Sequence, residues 1–454
     1  MTELPSNPQD LRVPDPGIRG LFKTDSRWQA WLDVEAALAK AQAKIGMIPL
    51  QAAEEISKKA KLTLFDRKKL ADGFLRSGHT LTPLIWELDR VCEGDAGGYA
   101  HWGATTQNIV QTGDLLILRQ ADAIFCKQLS ELLDLMADLA EYHADTPMAA
   151  RTHGQHAVPT TFGAKVAVWI DELGRHGERL KEASPRVFRA MLGGAAGTLA
   201  SFGDKGFTLQ EAFAAELGMT AMPVPSRAEG DHLSEYVLLL GLMAATCGKI
   251  AREIYTLQKQ EFGELEEPTP EGSVGSSTMP QKRNPFMAQD IVALASEIRM
   301  QVPLALEAMQ TEHEADRATS LQIRQATERA CVATGDMLAR MNIIIKGLTV
   351  KPTRMRENLD LTNGLIMAEP IMLALGSSIG RQLAHDIVYD AAQAAAVGKG
   401  RFVDLLAADQ RISSAISKQN LEKLLNPVSY VGLSPELARR AAISARKTAG
   451  QLKH

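Results

Sequence analysis

Three polar stretches interrupt a text otherwise made of apolar and charged residues, and they hold the side chains with chemistry to offer. The first is His101-Trp102-Gly103-Ala104-Thr105-Thr106-Gln107-Asn108. The second is Arg151-Thr152-His153-Gly154-Gln155-His156-Ala157-Val158-Pro159-Thr160-Thr161. The third runs from Gly275 through Ser276, Ser277, Thr278, Met279, Pro280, Gln281, Lys282, Arg283 and Asn284 to Pro285, after Pro268, Pro270 and Gly272. Taken singly, each also reads as a helix-capping turn, because Ser, Thr, Asn and Gly are favoured just before helices. Taken together, hydroxyls, amides and helix N-terminal N–H groups make a preformed site for an anion. Lys282 adds a positive charge two residues from the Asn284 amide, and His153 adds an imidazole, a side-chain type suited to proton transfer. Ser276 serves as a base only where neighbouring positive charge lowers its pKa strongly. The chemistry these residues suggest is proton transfer on a small carboxylate.

Other motifs fail. Gly376-Ser377-Ser378-Ile379-Gly380 has the spacing of a nucleophile elbow, which needs a preceding strand; here the surroundings read as helix. No HExxH, Walker loop or GxGxxG occurs. Cys92, Cys126, Cys247 and Cys331 form no CxxC pair, so no disulfide framework, zinc ribbon or other metal site is expected, and no cofactor. Cys247 and Cys331 fall in helical runs and read as buried. Met279, Met287, Met300 and Met309 read as packing residues. Glu261, Glu264, Glu266 and Glu267 read as a solvated helix end leading into the third stretch. Glu312 to Arg317 reads either as a solvated helix end or as substrate-facing.

The elements that must hold these stretches are helical. Residues 1–27 read as an irregular arm, and a helical pattern starts at Trp28 and stops at Gly46 and Pro49. Long helical runs are predicted over about 110–144, 160–184, 232–262, 286–311 and 321–348, rich in Ala, Leu and Met. Pro303 predicts a kink or break in the fourth. No convincing strand and no internal repeat is visible, which removes a repeat scaffold from consideration. The reading is all-α in three segments: 1–109, a central long-helix bundle over 110–360 with a loop at about 266–285, and 361–454. Runs such as Val237 to Leu240 and Ile291 to Leu294 are apolar on more than one face, which predicts that copies associate through the bundle.

The chain has 454 residues, enough for a large core without staples. Its 50 Lys and Arg against 54 Asp and Glu leave a net charge of -4, which argues against a nucleic-acid coat or a basic membrane binder. The most apolar stretch, Val237 to Cys247, is far short of the roughly 20 residues that span a bilayer. The start of the chain lacks a basic-then-apolar leader pattern, so a cytoplasmic location is expected.

At the third stretch the sequence resembles the fumarase/aspartase superfamily: Gly275 to Pro285 matches its GSSxMPxKxNP signature at every fixed position. The resemblance extends over nearly the whole chain. It implies three mostly helical domains, five long central helices per chain in a tetramer core of twenty, and active sites built from three subunits. It also implies a mechanism, in which a base removes a Cβ proton beside a carboxylate, an aci-carboxylate forms, and a group leaves, usually releasing fumarate. By similarity Ser276 is the base. Thr105, Thr106, Asn108, Thr152, Lys282 and Asn284 hold substrate carboxylates, with the Met279 backbone nearby. His153 protonates or orients the leaving group, and Gln289 stands where relatives place the carboxylate partner of that histidine.

Two branches are similar. The runs Gly17 to Phe22, Leu32 to Ala39, Gly193 to Ala200 and Gly364 to Glu369 resemble the 3-carboxy-cis,cis-muconate cycloisomerase branch, whereas Arg151 to Gly154 and His79 within Gly78-His79-Thr80 resemble adenylosuccinate lyase. Both relatives carry Gln-Arg-Asp-Arg where this chain has Glu229-Gly230-Asp231-His232, so the distal part of the substrate is expected to differ. The first arginine of the adenylosuccinate lyase phosphate cradle corresponds to Ala315, although Ser320 and Arg324 remain, which argues against a nucleotide substrate. The expectation is a lyase acting on a small succinyl-type polycarboxylate by C–N or C–O cleavage, with the muconate cycloisomerase reaction as the alternative. A non-catalytic structural homologue is disfavoured by the intact Ser276, Lys282, Asn284 and Thr152.

Overall fold

The computed structural model describes residues 8–414 and 416–453; of the segment expected to be an irregular arm, residues 1–7 lie outside that set, and the rest holds short helical turns at Pro8–Arg12 and Ile18–Leu21. The chain packs as two compact units. One comprises residues up to Gln128, His176–Gly248 and Ala293–Ala339; the other comprises Leu129–Arg175, Lys249–Val292 and Arg340 onward.

In the first unit, helix α1 (Thr24–Lys44) begins four residues earlier than its apolar repeat suggests. It buries Trp31, Val34 and Leu38 in a core shared with Ile56, Leu84, Leu88, Ile109 and Phe213. Helix α2 (Thr106–Tyr142) has no proline in 37 residues and rises roughly 55 Å at 1.5 Å per residue. Its buried stripe (Leu115, Leu118, Phe125, Leu129, Leu132, Met136) keeps the three- and four-residue spacing of one helix face. At its start the Asn108 side chain accepts the Thr105 N–H at 3.1 Å, a capping-box geometry that sets where the helix begins.

The remaining long helices are α3 (Phe162–Val187), α4 (Asp231–Gln258), α5 (Phe286–Glu307) and α6 (Arg317–Gly347). Helix α5 does not end at Pro303. The ring removes one N–H from the ladder a turn before the terminus, and Ala308 N–H to Leu304 C=O closes the end. Apolar side chains stand out to solvent on these helices: Val168, Leu242, Met300 and Leu306 are each exposed in the single chain, as is Met309 beyond α5. The methionines read as packing residues therefore do not pack within this chain at Met279, Met300 and Met309.

The second unit contains an element the sequence reading missed. The second polar stretch is a β-hairpin, β1 (Pro147–Thr152) antiparallel to β2 (Gln155–Thr161), with Thr152 opposite Gln155. His153 (φ 52°) and Gly154 (φ 77°) form its two-residue turn, and two positive φ values in sequence are what a tight hairpin twist requires. A second pair, β3 (Leu265–Glu266) against β4 (Thr349–Val350), marks the entry to the third stretch. The C-terminal helices α7 (Ala368–Ile379) and α8 (Arg381–Ala396) bury Ile371, Leu375 and Ile387 with Phe402 and Leu406. Ser377 lies inside α7 and hydrogen-bonds the Ala374 carbonyl, so the apparent nucleophile elbow is ordinary helix.

Candidate active site

The first set of site residues surrounds the N-terminus of α2. A cleft of about 350 Å³ is lined by His79, Thr80, Thr106, Gln107, Arg227, Ala315, Asp316, Arg317, Ser320 and Arg324, with Val110 and Leu321 as apolar walls. His79 Nδ1 accepts the backbone N–H groups of Leu81 (3.3 Å) and Thr82 (3.1 Å). That leaves Nε2 as the protonated nitrogen of the neutral ring, 3.4 Å from Thr106 Oγ1. Thr105 and Thr106 are half-buried. Asn108 is fully buried; its oxygen accepts from Thr105 N and from Gly194 N (3.1 Å), so it holds the Thr105–Thr106 turn rather than offering that oxygen to a ligand.

Arg227 crosses this cleft. Its Nε donates to Gln107 Oε1 at 3.0 Å and its Nη1 to the Ala195 carbonyl at 2.7 Å, while Gln107 Nε2 donates back to the Arg227 carbonyl. Arg324 is tied differently: its Nε donates to Asp114 Oδ2 at 3.0 Å, and the other oxygen of Asp114 lies 3.4 Å from Arg27 Nε. Behind them a narrow cavity of about 80 Å³ is lined by Phe22, Ile117, Leu118, Ile323 and Glu229. Burial pushes the Glu229 carboxyl up, with Asp231's charge acting the same way. His232 is buried with neither ring nitrogen hydrogen-bonded, and burial pushes its pKa down. Of the altered run, then, Glu229 lines the cavity and His232 is enclosed in packing.

The second set belongs to the other unit. Thr152 and His153 are exposed at the hairpin turn. Arg151, the residue before them, makes a two-pronged ion pair with fully buried Glu264 (3.1 and 2.6 Å) and lies over the Phe262 ring. Asn358 completes the Glu264 carboxylate at 2.7 Å. Glu266 next takes Arg283 and Lys351, each at 2.7 Å. Burial works against its ionisation, but these two cations prevail and hold its carboxyl below the usual range. Glu267 caps α5 by accepting the N–H groups of Met287 (3.0 Å) and Ala288 (2.9 Å), where a carboxylate also meets the positive end of the helix. Of the four glutamates read as a solvated helix end, Glu261 is exposed, but Glu264 and Glu267 are buried and, with Glu266, clamp both ends of the third stretch.

Within that stretch Ser276, Met279, Lys282 and Asn284 share one compact loop. Ser276 Oγ accepts the N–H groups of Met279 (3.1 Å) and Thr278 (3.4 Å). Lys282 N–H donates to the Met279 carbonyl, and Asn284 Nδ2 to the Gly275 carbonyl at 2.6 Å. A Cβ on Gly275 would sit 2.0 Å from the Lys282 carbonyl oxygen, so only glycine allows the loop to close on itself. Lys282 is exposed, and so is Gln289 in the first turn of α5. Sequence reasoning gave Gln107 and Arg227 no role; their signal was only a glutamine inside the first polar stretch and an arginine just before the altered run. Among the described residues no group of three or more His, Cys, Asp or Glu side chains is placed to hold a metal ion, and no helix is long and apolar enough to cross a membrane.

A family model described as lyase matches residues 9–299, and one described as adenylosuccinate lyase C-terminus matches residues 364–441. The chain is 38% identical to an adenylosuccinate lyase of Methanocaldococcus jannaschii, over 95% of this chain and 94% of the relative. It is 37% identical to an N-acetyl-S-(2-succino)cysteine lyase of Enterococcus italicus, over 96% and 95%. A crystal structure of 3-carboxy-cis,cis-muconate lactonizing enzyme from Pseudomonas putida superposes with a TM-score of 0.89 at 33% identity, covering 97% of this chain and 99% of that one. With its signature loop, its helical fold and these relatives, the chain is an enzyme of the fumarase/aspartase superfamily, in the branch shared by adenylosuccinate lyase and 3-carboxy-cis,cis-muconate cycloisomerase.

Proposed function

We propose that the enzyme catalyses reversible β-elimination from a small succinyl-type polycarboxylate, releasing fumarate and a protonated leaving group. The observation that carries this reading is the setting of Ser276. Two backbone N–H groups aimed at Oγ favour its alkoxide, and Lys282 lies in the same loop. In this reaction the Ser276 alkoxide takes the Cβ proton and becomes a hydroxyl. The electron pair left on carbon delocalises into the adjacent carboxylate as an aci-carboxylate, then forms the double bond as the Cα–heteroatom bond breaks. Thr105, Thr106, Thr152, Lys282 and Asn284 bind the carboxylates, the Met279 backbone supports them, and Asn108 positions the threonines. His153 delivers the proton to, or orients, the leaving heteroatom. Gln289 is neutral, so it orients without stabilising an imidazolium as a carboxylate would. His79 binds substrate through its Nε2–H.

A nucleotide leaving group fits less well. Ala315 offers no charge to a phosphate, and Arg324 already faces Asp114. The activity named for the Enterococcus italicus relative supports a small thiol among the leaving groups, alongside amines and alcohols. The likeness to the Pseudomonas putida enzyme favours muconate cycloisomerisation as the second reading. The exposed apolar residues of α3, α4 and α5 support a homotetramer with shared active sites around the proposed three-domain chain, and a cytoplasmic location accords with this role.

The test is direct. Purified enzyme is mixed separately with N-acetyl-S-(2-succino)cysteine, with succinyl adducts of small amines, with adenylosuccinate and with 3-carboxy-cis,cis-muconate. Fumarate release and loss of diene absorbance are followed. Fumarate from a small adduct, abolished by Ser276→Ala, is the expected result. Rapid diene loss without fumarate from any adduct overturns the elimination reading in favour of the cycloisomerase.

A further inference from the structure

The cleft at the start of α2 is lined by three arginines, Arg227, Arg317 and Arg324, against one carboxylate, Asp316, whose Oδ1 accepts the Ala318 N–H at 2.8 Å. Of its arginines, Arg324 faces Asp114, which also sits beside Arg27. Arg227 has no carboxylate within ion-pair distance among the described residues; its only fixed partners are two neutral oxygens, Gln107 Oε1 and the Ala195 carbonyl. It is nonetheless half-buried, and burial alone depresses its pKa. A guanidinium withdrawn from water with no counter-charge costs free energy unless something anionic arrives. The two neutral oxygens lock the direction of the side chain through Nε and Nη1, leaving Nη2 free to meet a ligand. It lies on the wall common to the open cleft and the narrow cavity behind it.

Resting on the elimination reading above, we propose that Arg227 binds an anionic substituent on the departing half of the substrate, so that the enzyme selects succinyl adducts whose leaving group itself carries a carboxylate. The surroundings fit a carboxylate on a short arm. Val110 and Leu321 provide apolar walls for one or two methylenes, and the cleft, at about 350 Å³, has the size of a small-metabolite site. Arg317, exposed at the rim and without an ion-pair partner among the described residues, adds attraction for an arriving anion.

The test uses two probes that differ in one group: (carboxymethylthio)succinate and its counterpart in which the carboxymethyl acid is a carboxamide. Binding to the full-length enzyme is measured by calorimetry in a Ser276→Ala background, so that neither probe is consumed. The acid should bind about tenfold or more tightly than the amide, the scale of a charge-assisted hydrogen bond. Arg227→Gln should bring the two within about twofold, and Arg227→Lys should restore part of the preference. In enzyme with Ser276 intact, Arg227→Gln should raise KM for the acid with kcat largely kept, and leave the amide's KM unchanged. Equal binding of acid and amide to the parent protein overturns the proposal, even if Arg227→Gln does not fold. A preference that survives Arg227→Gln overturns it too. If neither probe yields fumarate, the elimination reading fails, while the binding ratio still decides the role of Arg227.

Discussion

Glu264→Gln is the substitution that most directly tests how the reactive segments are held. Glu264 is fully buried, and its carboxylate takes both prongs of Arg151, whose side chain is only 14% exposed, with Asn358 as a third donor. Neutralising it leaves a guanidinium withdrawn from water opposite an amide that can accept at only one atom. Removing one partner of such a pair costs about 3–5 kcal/mol, and the remaining amide oxygen places this case near the lower end, at about 3 kcal/mol. The loss should not stay local. Arg151 immediately precedes the Thr152–His153 turn, and Glu264 immediately precedes the strand that enters the Ser276 loop, so kcat/KM should fall as well. Chemical denaturation at fixed protein concentration, on Glu264→Gln, Arg151→Met and the double variant, reads the coupling. The two single changes should each destabilise strongly, and the double by much less than their sum, since no unpaired charge remains. A Glu264→Gln protein within about 0.5 kcal/mol of the parent, the range of an ordinary surface change, would refute the reasoning.

Other predictions concern the base and two pH-sensitive groups. Ser276→Ala should lower turnover by about a hundred- to ten-thousandfold while light scattering shows an unchanged particle mass; retained turnover would remove Ser276 as the base. Burial pushes the Asp122 carboxyl up to about 6 despite the Tyr236 hydroxyl at 2.9 Å. Because its folded pKa is raised, its contribution to stability is full below about pH 4 and lost as pH rises through about 6. Asp122→Asn should therefore add up to about 3 kcal/mol in denaturant titrations at pH 8 and nothing at pH 4. His101 Nδ1 lies 2.6 Å from buried Glu35; burial alone would lower its pKa, but the hydrogen bond and charge of Glu35 outweigh it and the net shift is upward. Its stabilisation is full below the ordinary histidine value and lost as pH rises through the raised one. Glu35→Gln should thus cost more in thermal melting at pH 6 than at pH 9, and an equal cost would refute the assignment.

The loop carrying Ser276 and the long helices were legible because their signals are local: a run of fixed residue types in one case, a three- and four-residue apolar spacing in the other. The hairpin was not. Its strands carry Pro147 and Pro159 and show no clean alternation, and its turn is His153-Gly154 rather than the more familiar Asn-Gly, so nothing marked two positive φ values in advance. Glu264 and Glu267 were misjudged because a carboxylate's solvation depends on partners distant in sequence, here Arg151 at one and the N-terminus of α5 at the other. Asn108 divides its amide in a way the sequence did not show: its oxygen serves the helix start three residues after Thr105, while its buried Nδ2 has no hydrogen-bond partner among the described residues. Arg227 differs again, since the charge that matters there is the one its neighbours fail to supply.

The clamped ends of the Ser276 loop carry a kinetic consequence. Glu266 is bonded to Arg283 and Glu267 to the first turn of α5, so the intervening chain is a tethered flap whose root stays fixed while its tip is exposed. Each residue left unordered until substrate arrives would cost on the order of 1–2 kcal/mol to fix, and a fixed root leaves fewer of them. If the tip moves when substrate binds, its path is a swing about two anchored points rather than a search by a free strand. Such a swing is slowed by solvent drag more than bond-breaking is, so if flap opening limits product release, turnover will fall with added viscogen in the parent enzyme and lose that sensitivity when the chemical step is crippled.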